Sequence, residues 1–174
     1  MADNFIEKRK YYRLPFGESS LLTDGKNTVV GGALNLSRGG IFLKTLNPLP
    51  INSYGYLSFV IPGQQNSVSL KVKVAHLIFD RQRAEVDCGM GLQFVEVSLR
   101  HQQFIDSYLQ QIKNAYLELQ RILKPRRPSV SEIEKQLALV KDLRGLDLSS
   151  LRYRVNRICT IFESAPELAQ LPTG

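Results

Sequence analysis

The sequence predicts a mainly β chain with α: an antiparallel β-barrel, then a long α-helix, then a helical hairpin. Three observations lead there. Between residues 11 and 97, apolar and polar side chains alternate in short runs parted by turn residues, with no helical pattern interleaved. Such spacing favours an antiparallel barrel over βαβ units. From Ser98 the apolar residues recur at alternating steps of three and four, the period of one helix face. Past a proline-rich break at 124–128, two shorter helical patterns follow.

The elements follow in order. Thr28 to Leu34 and Ile41 to Leu43 are β-rich runs around a polar corner, Asn35–Gly40. Tyr54 to Ile61 is aromatic and β-branched and is closed by Pro62-Gly63, a turn signal. Val68 to Phe79 is nearly strict in period two, and a charged loop from Asp80 to Arg83 leads into Ala84 to Val97. In the long helix, 98–124, Ser98 is the expected N-cap. Its stripe consists of Ile105, Tyr108, Ile112, Ala115, Leu119 and Ile122, flanked by Leu109, Tyr116 and Leu123. One half of that stripe is expected to cover a barrel end, and the far half needs another surface. Lys124-Pro125-Arg126-Arg127-Pro128 ends the helix as a stiff basic linker.

In the extension, 126–174, Ser131-Glu132-Ile133-Glu134 reads as a capping box opening a helix to about Arg144, with Gly145 as C-cap. A last helix is expected from Leu148 to Glu163, burying Leu151, Val155, Ile158 and Phe162. Two such short helices bury too little alone and must dock on the long helix, the barrel or another subunit.

Composition limits the chemistry. A chain of 174 residues with 43% hydrophobic and 22% charged residues is that of a soluble globular protein. Its net charge of +7 favours anionic partners without choosing among them. Cys88 and Cys159 lack metal spacing and read as buried free thiols. His76 and His101 have no Cys, Asp or Glu neighbours at ligand spacing, so no metal is expected. Ser37 is not in a nucleophile elbow, and no catalytic constellation is present, so an enzyme is not expected. No apolar leader or spanning segment occurs, which points to a cytoplasmic location without membrane insertion.

The most informative residues are two motifs. Arg9-Lys10-Tyr11-Tyr12-Arg13 places two arginines at i and i+4, on one face of either a helix or a strand. Asn35-Leu36-Ser37-Arg38-Gly39-Gly40 begins 22 residues after Arg13 and adds small polar groups and glycines. Guanidinium forks suit phosphate oxygens and the guanine O6/N7 edge. Together the motifs suggest a site for an anionic, guanine-bearing ligand. Arg9, Arg13, Asn35, Ser37 and Gly40 fill the R-x-x-x-R and [D/N]-x-S-x-x-G signature without a gap, and Gly89-Met90-Gly91-Leu92-Gln93-Phe94 matches a late-strand pattern. In these features the chain, over about residues 5 to 110, resembles the PilZ domains, bacterial receptors of cyclic di-GMP.

The resemblance implies a six-stranded antiparallel PilZ-type barrel in residues 1–110, with 1–13 as a flexible N-terminal arm. It also implies roles. Arg9 and Arg13 grip phosphate and the guanine Hoogsteen edge, and Asn35 and Ser37 bond base and phosphate from the opposite side. Gly40 and Gly39 keep the floor clear, while Lys10 and Arg38 lie beside the ligand. Lys8, just before the first arginine, suits the charge of a stacked pair, so two cyclic di-GMP molecules per site are expected and no other cofactor. The expected output is a conformational change passed to a protein effector, with homo-oligomerisation through the C-terminal helices as a further expectation. Two alternatives stand beside this: a PilZ-fold interaction module without ligand binding, and a ligand-controlled DNA-binding regulator. The latter would use Arg152, Arg154 and Arg157 of the last helix; nucleic acid is the less favoured partner, because those arginines suit a solvated face.

Overall fold

A computed structural model of the chain describes residues 11–65, 67–79 and 88–164. The chain divides into two compact units, one of Arg13–Gln111 and the other of Met1–Tyr12 with Ile112–Gly174.

The first unit holds seven strands: β1 (Leu14–Pro15), β2 (Ser19–Thr23), β3 (Thr28–Ser37), β4 (Gly40–Lys44), β5 (Tyr54–Val60), β6 (Ser67–Ile78) and β7 (Gly89–Glu96). Their order is β1-β3-β2-β5-β6-β7-β4, and a β3–β4 pairing joins the last strand back to β3. Six antiparallel strands therefore close into a barrel, with β1 as a seventh laid along β3. Closure removes the open edges a flat sheet would leave. Period-two alternation fills the barrel with Leu22, Val29, Leu36, Leu57, Phe59, Val68, Leu70, Val72, Met90 and Leu92, all buried. Phe16 is central, with edge-to-face contacts to Phe59 at 5.7 Å and Tyr108 at 5.5 Å between ring centres. Each such contact adds ~0.5–1.5 kcal/mol beyond area burial.

The polar corner expected at Asn35–Gly40 is narrower than its sequence suggests. Asn35 and Ser37 lie inside β3, Ser37 pairs with Gly40, and only Arg38 and Gly39 turn the chain. Backbone pairing to β4 outweighs the turn preference of Asn and Ser, because each ladder position satisfies groups that a loop would leave to water.

Helix α1 (Leu99–Leu123) begins where expected, with Ser98 Oγ accepting from His101 N at 3.2 Å. Its whole predicted stripe is buried, from Ile105 to Leu123. The first half belongs to the barrel unit and the second to the helical unit. The requirement that the far half find another surface is met within the second unit. There Tyr116 donates to Asp142 Oδ2 at 3.0 Å, Cys159 Sγ donates to the Tyr116 carbonyl at 3.6 Å, and Gln120 donates to Asn156 at 3.3 Å.

Helix α2 (Val130–Leu137) is capped by Ser129, whose Oγ accepts from Glu132 N, rather than by Ser131. It stops seven residues before Arg144 (144 − 137). A 3₁₀ turn over Lys141–Leu143 follows, which lets Val140 and Leu143 both bury. In a continuous helix Val140 would lie about 20° and Leu143 about 80° around from Ile133. Arg144 folds back instead, donating to the carbonyls of Leu137 and Ala138 at 3.0 and 3.1 Å, so it closes the helix it was expected to end.

Helix α3 (Leu148–Ser164) is capped by Asp147, which accepts from Ser149 N at 2.9 Å and Ser150 N at 3.0 Å. Hydrogen bonds from Ser150 hold the Asp147 carboxyl below its usual value. Its buried face is Leu151, Val155, Cys159 and Phe162; Ile158, expected inward, is half-buried, and Cys159 takes its place. Burial pushes the Cys159 thiol up to about 11. Cys88, also expected buried, is half-exposed.

The basic linker after α1 is fastened. Arg152 donates to the carbonyls of Leu123 at 3.0 Å and Pro125 at 2.7 Å, leaving Arg154 and Arg157 as the exposed cations of α3. Among the described residues, no helix is long and apolar enough to cross a membrane, and no cluster of His, Cys, Asp or Glu could hold a metal.

Candidate functional site

The candidate site grows from a break in the alternation of β3. Val29 and Ala33 face the core, four residues apart, but the next core residue is Leu36, only three further on. A bulge at Leu34 supplies the shift: Ala33 pairs with Leu43, but Asn35 pairs with Phe42. One extra residue exchanges the faces of everything beyond it. Leu36 is therefore fully buried at 0% exposure, and Asn35 and Ser37 turn away from the core.

Strand β1 reads the same register from the other side. Leu14 pairs with Leu36 and Pro15 with Asn35, and Leu14 is 1% exposed. Continued by one residue, this register brings Arg13 level with Ser37. Side chains directly opposed across an antiparallel pair share a face, so Arg13, Asn35 and Ser37 lie together on the face away from the core. The bulge and the short β1 thus gather three of the five signature residues.

Polar satisfaction differs among the three. Ser37 is buried at 5% exposure and donates to the Gly40 carbonyl at 3.1 Å, bracing the hairpin tip. Asn35 Oδ1 is buried and has no hydrogen-bond partner among the described residues. A buried amide oxygen left so costs ~1–3 kcal/mol, which makes it a ready acceptor for a donor brought by a ligand.

Gly40 has a structural reason of its own. A Cβ there would overlap the Leu92 carbonyl oxygen of β7, so close strand pairing requires the glycine. The tip is tied again where Phe94 N donates to the Gly39 carbonyl at 2.9 Å. In the late-strand pattern, a Cβ on Gly91 would enter the His76 ring, consistent with close packing there and not a phosphate loop. Arg38, at the turn, has Nε 3.3 Å from Asp106 Oδ1 on α1, and Gln102 Nε2 donates to the same oxygen at 2.8 Å. Sequence reasoning missed Asp106. Its one signal was that it is the only carboxylate in the first half of α1.

Lys8, Arg9 and Lys10 lie outside the described residues. Of the arm, 11–13 are described, and Tyr12 is 6% exposed.

The architecture has relatives among solved structures. The inhibitor of motility MotI/DgrA from Bacillus subtilis superposes with a TM-score of 0.53 at 19% identity, covering 63% of this chain and 53% of that one. YcgR from Escherichia coli, solved in complex with c-di-GMP, gives 0.52 at 14% identity, covering 64% of this chain and 48% of that one. The chain thus spans about half the length of these structures. At such identities the likeness is one of fold. No curated protein matches the sequence. The PilZ domain model matches residues 7–111, more than half of the chain and the whole of the barrel with its signature residues, and the chain belongs to the PilZ domain family.

Proposed function

We propose that this protein is a receptor for cyclic di-GMP, held by Arg9, Arg13, Asn35 and Ser37 at the β1–β3 face. The observation that carries the reading is the β1–β3 register, which continued by one residue sets Arg13 level with Ser37, together with the buried Asn35 Oδ1 that lacks a partner among the described residues. A guanine N–H satisfies that oxygen, and the guanidinium answers phosphate or the O6/N7 edge. Membership of the PilZ family and the c-di-GMP complex of YcgR support the same ligand.

Lys8 and Lys10 add charge to the arm, and two stacked ligands, with their doubled phosphate charge, suit it. Gly39 and Gly40 leave the hairpin tip without bulk, and Arg38 reaches the ligand by exchanging Asp106 for phosphate. A movement of the N-terminal segment on binding is the conformational change passed to a protein effector in the cytoplasm. Leu117 and Tyr153, exposed on α1 and α3, offer apolar surface for that effector or for a second copy.

Isothermal titration with cyclic di-GMP, paired with light scattering, tests this. The expected result is saturable binding with a stoichiometry near two per chain. Failure to bind at micromolar ligand would leave a PilZ-fold interaction module instead.

A further inference from the structure

In the helical unit, a groove of about 390 Å³ opens between the end of α1, the linker after it and α3. Gln120, Leu123, Lys124, Arg126, Arg152 and Asn156 line it. Three of these six are cations, and none is a carboxylate. Arg152 fixes the linker there, its Nε and one terminal amino group donating to the carbonyls of Leu123 and Pro125 at 3.0 and 2.7 Å. Those bonds satisfy carbonyls at the negative end of α1, which would otherwise repel an anion. Lys124 and Arg126 are exposed, and among the described residues neither is ion-paired. Across the groove, Gln120 Nε2 donates to Asn156 Oδ1 at 3.3 Å, which leaves Gln120 Oε1 and Asn156 Nδ2 to meet a peptide backbone.

We infer that this groove docks an acidic segment of a protein partner, with the partner's carboxylates set against Lys124 and Arg126. This rests on the effector half of the proposed function and names the chemistry of that partner, but it needs no cyclic di-GMP. The lining decides the class of occupant. Pockets for small organic ligands are lined mainly by apolar and aromatic side chains, and here Leu123 is the one apolar residue among the six. A nucleic-acid strand needs cations that track its backbone. Arg154 and Arg157, the exposed cations of α3, lie ~160° and ~140° around that helix from Arg152, so no such row forms. A protein segment also seeks apolar contact beside its charges. Leu117 stands three residues before Gln120 on α1, and Tyr153 three before Asn156 on α3, so each neighbours the groove along its helix. Both are exposed.

Fluorescence anisotropy of a dye-labelled peptide of glutamates and leucines, without cyclic di-GMP, tests the groove. The protein is expected to bind it saturably, and less tightly as salt rises. The same peptide with glutamines for glutamates does not bind. Lys124→Glu with Arg126→Glu weakens binding about tenfold or more, since reversal replaces two attractions with two repulsions. Arg154→Glu with Arg157→Glu, the same change of charge on the other side of α3, leaves affinity within about twofold. All four positions are exposed, and circular dichroism serves as the folding control. No saturable binding of the acidic peptide, or equal losses from the two pairs of reversals, overturns the inference. So does displacement of the peptide by a single-stranded oligonucleotide or by inorganic phosphate at equal concentration, which would give the groove to phosphate. Each of these results leaves the receptor reading intact, and failure of the cyclic di-GMP titration does not reach the groove.

Discussion

Arg38 Nε lies 3.3 Å from Asp106 Oδ1, so a residue of the signature hairpin is ion-paired to the first half of α1. The Arg38 side chain is 41% exposed and that of Asp106 18%. A pair this accessible is worth only ~0–1 kcal/mol. It is weak enough for a phosphate to displace.

Asp106→Asn should therefore release Arg38 while an amide remains beside Gln102. Cyclic di-GMP affinity is expected to rise about two- to fivefold, within the energy of the surrendered pair, as read by titration. Unchanged affinity would mean that Arg38 only braces the hairpin against α1.

Arg13→Ala and Arg9→Ala should each weaken binding by at least ~1.5 kcal/mol, the scale of a hydrogen bond to a charged group. Affinity of the wild type should also fall as salt is raised, and less steeply in either variant. Matching titration curves for wild type and both variants would refute the assignment.

Asn35→Leu should separate binding from folding. It removes the buried oxygen that lacks a partner, so thermal stability is expected to hold or improve, while ligand affinity falls by about tenfold or more for the lost hydrogen bond. A clear loss of stability would show that Asn35 serves the fold.

Gly40→Ala should act in the opposite manner. The added methyl meets the Leu92 carbonyl of β7, and overpacking of this kind costs ~1–3 kcal/mol. A drop in melting temperature without ligand is the expected readout. Normal stability with impaired binding would assign Gly40 to the ligand floor alone.

The Cys159 thiol, raised chiefly by burial to about 11, gives a pH test. Its folded value lies above that of the unfolded chain, ~8.5. The folded state therefore holds the proton more tightly, and this contribution to stability is complete below the unfolded value. It is lost as pH rises through the folded one. The stability advantage of wild type over Cys159→Ala should narrow between about pH 8.5 and 11, followed by chemical denaturation. Native alkylation at pH 8 should modify the half-exposed Cys88 before Cys159.

Some of this was legible in the linear chain because it depends on neighbours in sequence. Alternation fixed which residues of β5 and β6 face inward, and the three–four spacing from Ile105 to Leu123 predicted each buried residue of α1 stripe by stripe. Ser98 was a recognisable cap for the same reason. Where the reading drifted, a remote partner intervened. Helix α2 stops at Leu137 because Arg144 returns to its carbonyls and Val140 and Leu143 turn inward together, and local propensity contains neither fact.

The barrel class, the long helix and the signature motifs were legible in the sequence alone, since periodicity and motif spacing are properties of a string. Only the tertiary structure decided that Leu34 bulges, that the β1–β3 register, continued by one residue, brings Arg13 level with Ser37, that Arg38 meets Asp106, and that Tyr12 sits against Phe162. The last three of these depend on register or on contacts between residues from 24 to 150 positions apart (37 − 13 and 162 − 12). Chain closure over such distances is settled by the packing of the whole, and no local preference encodes it.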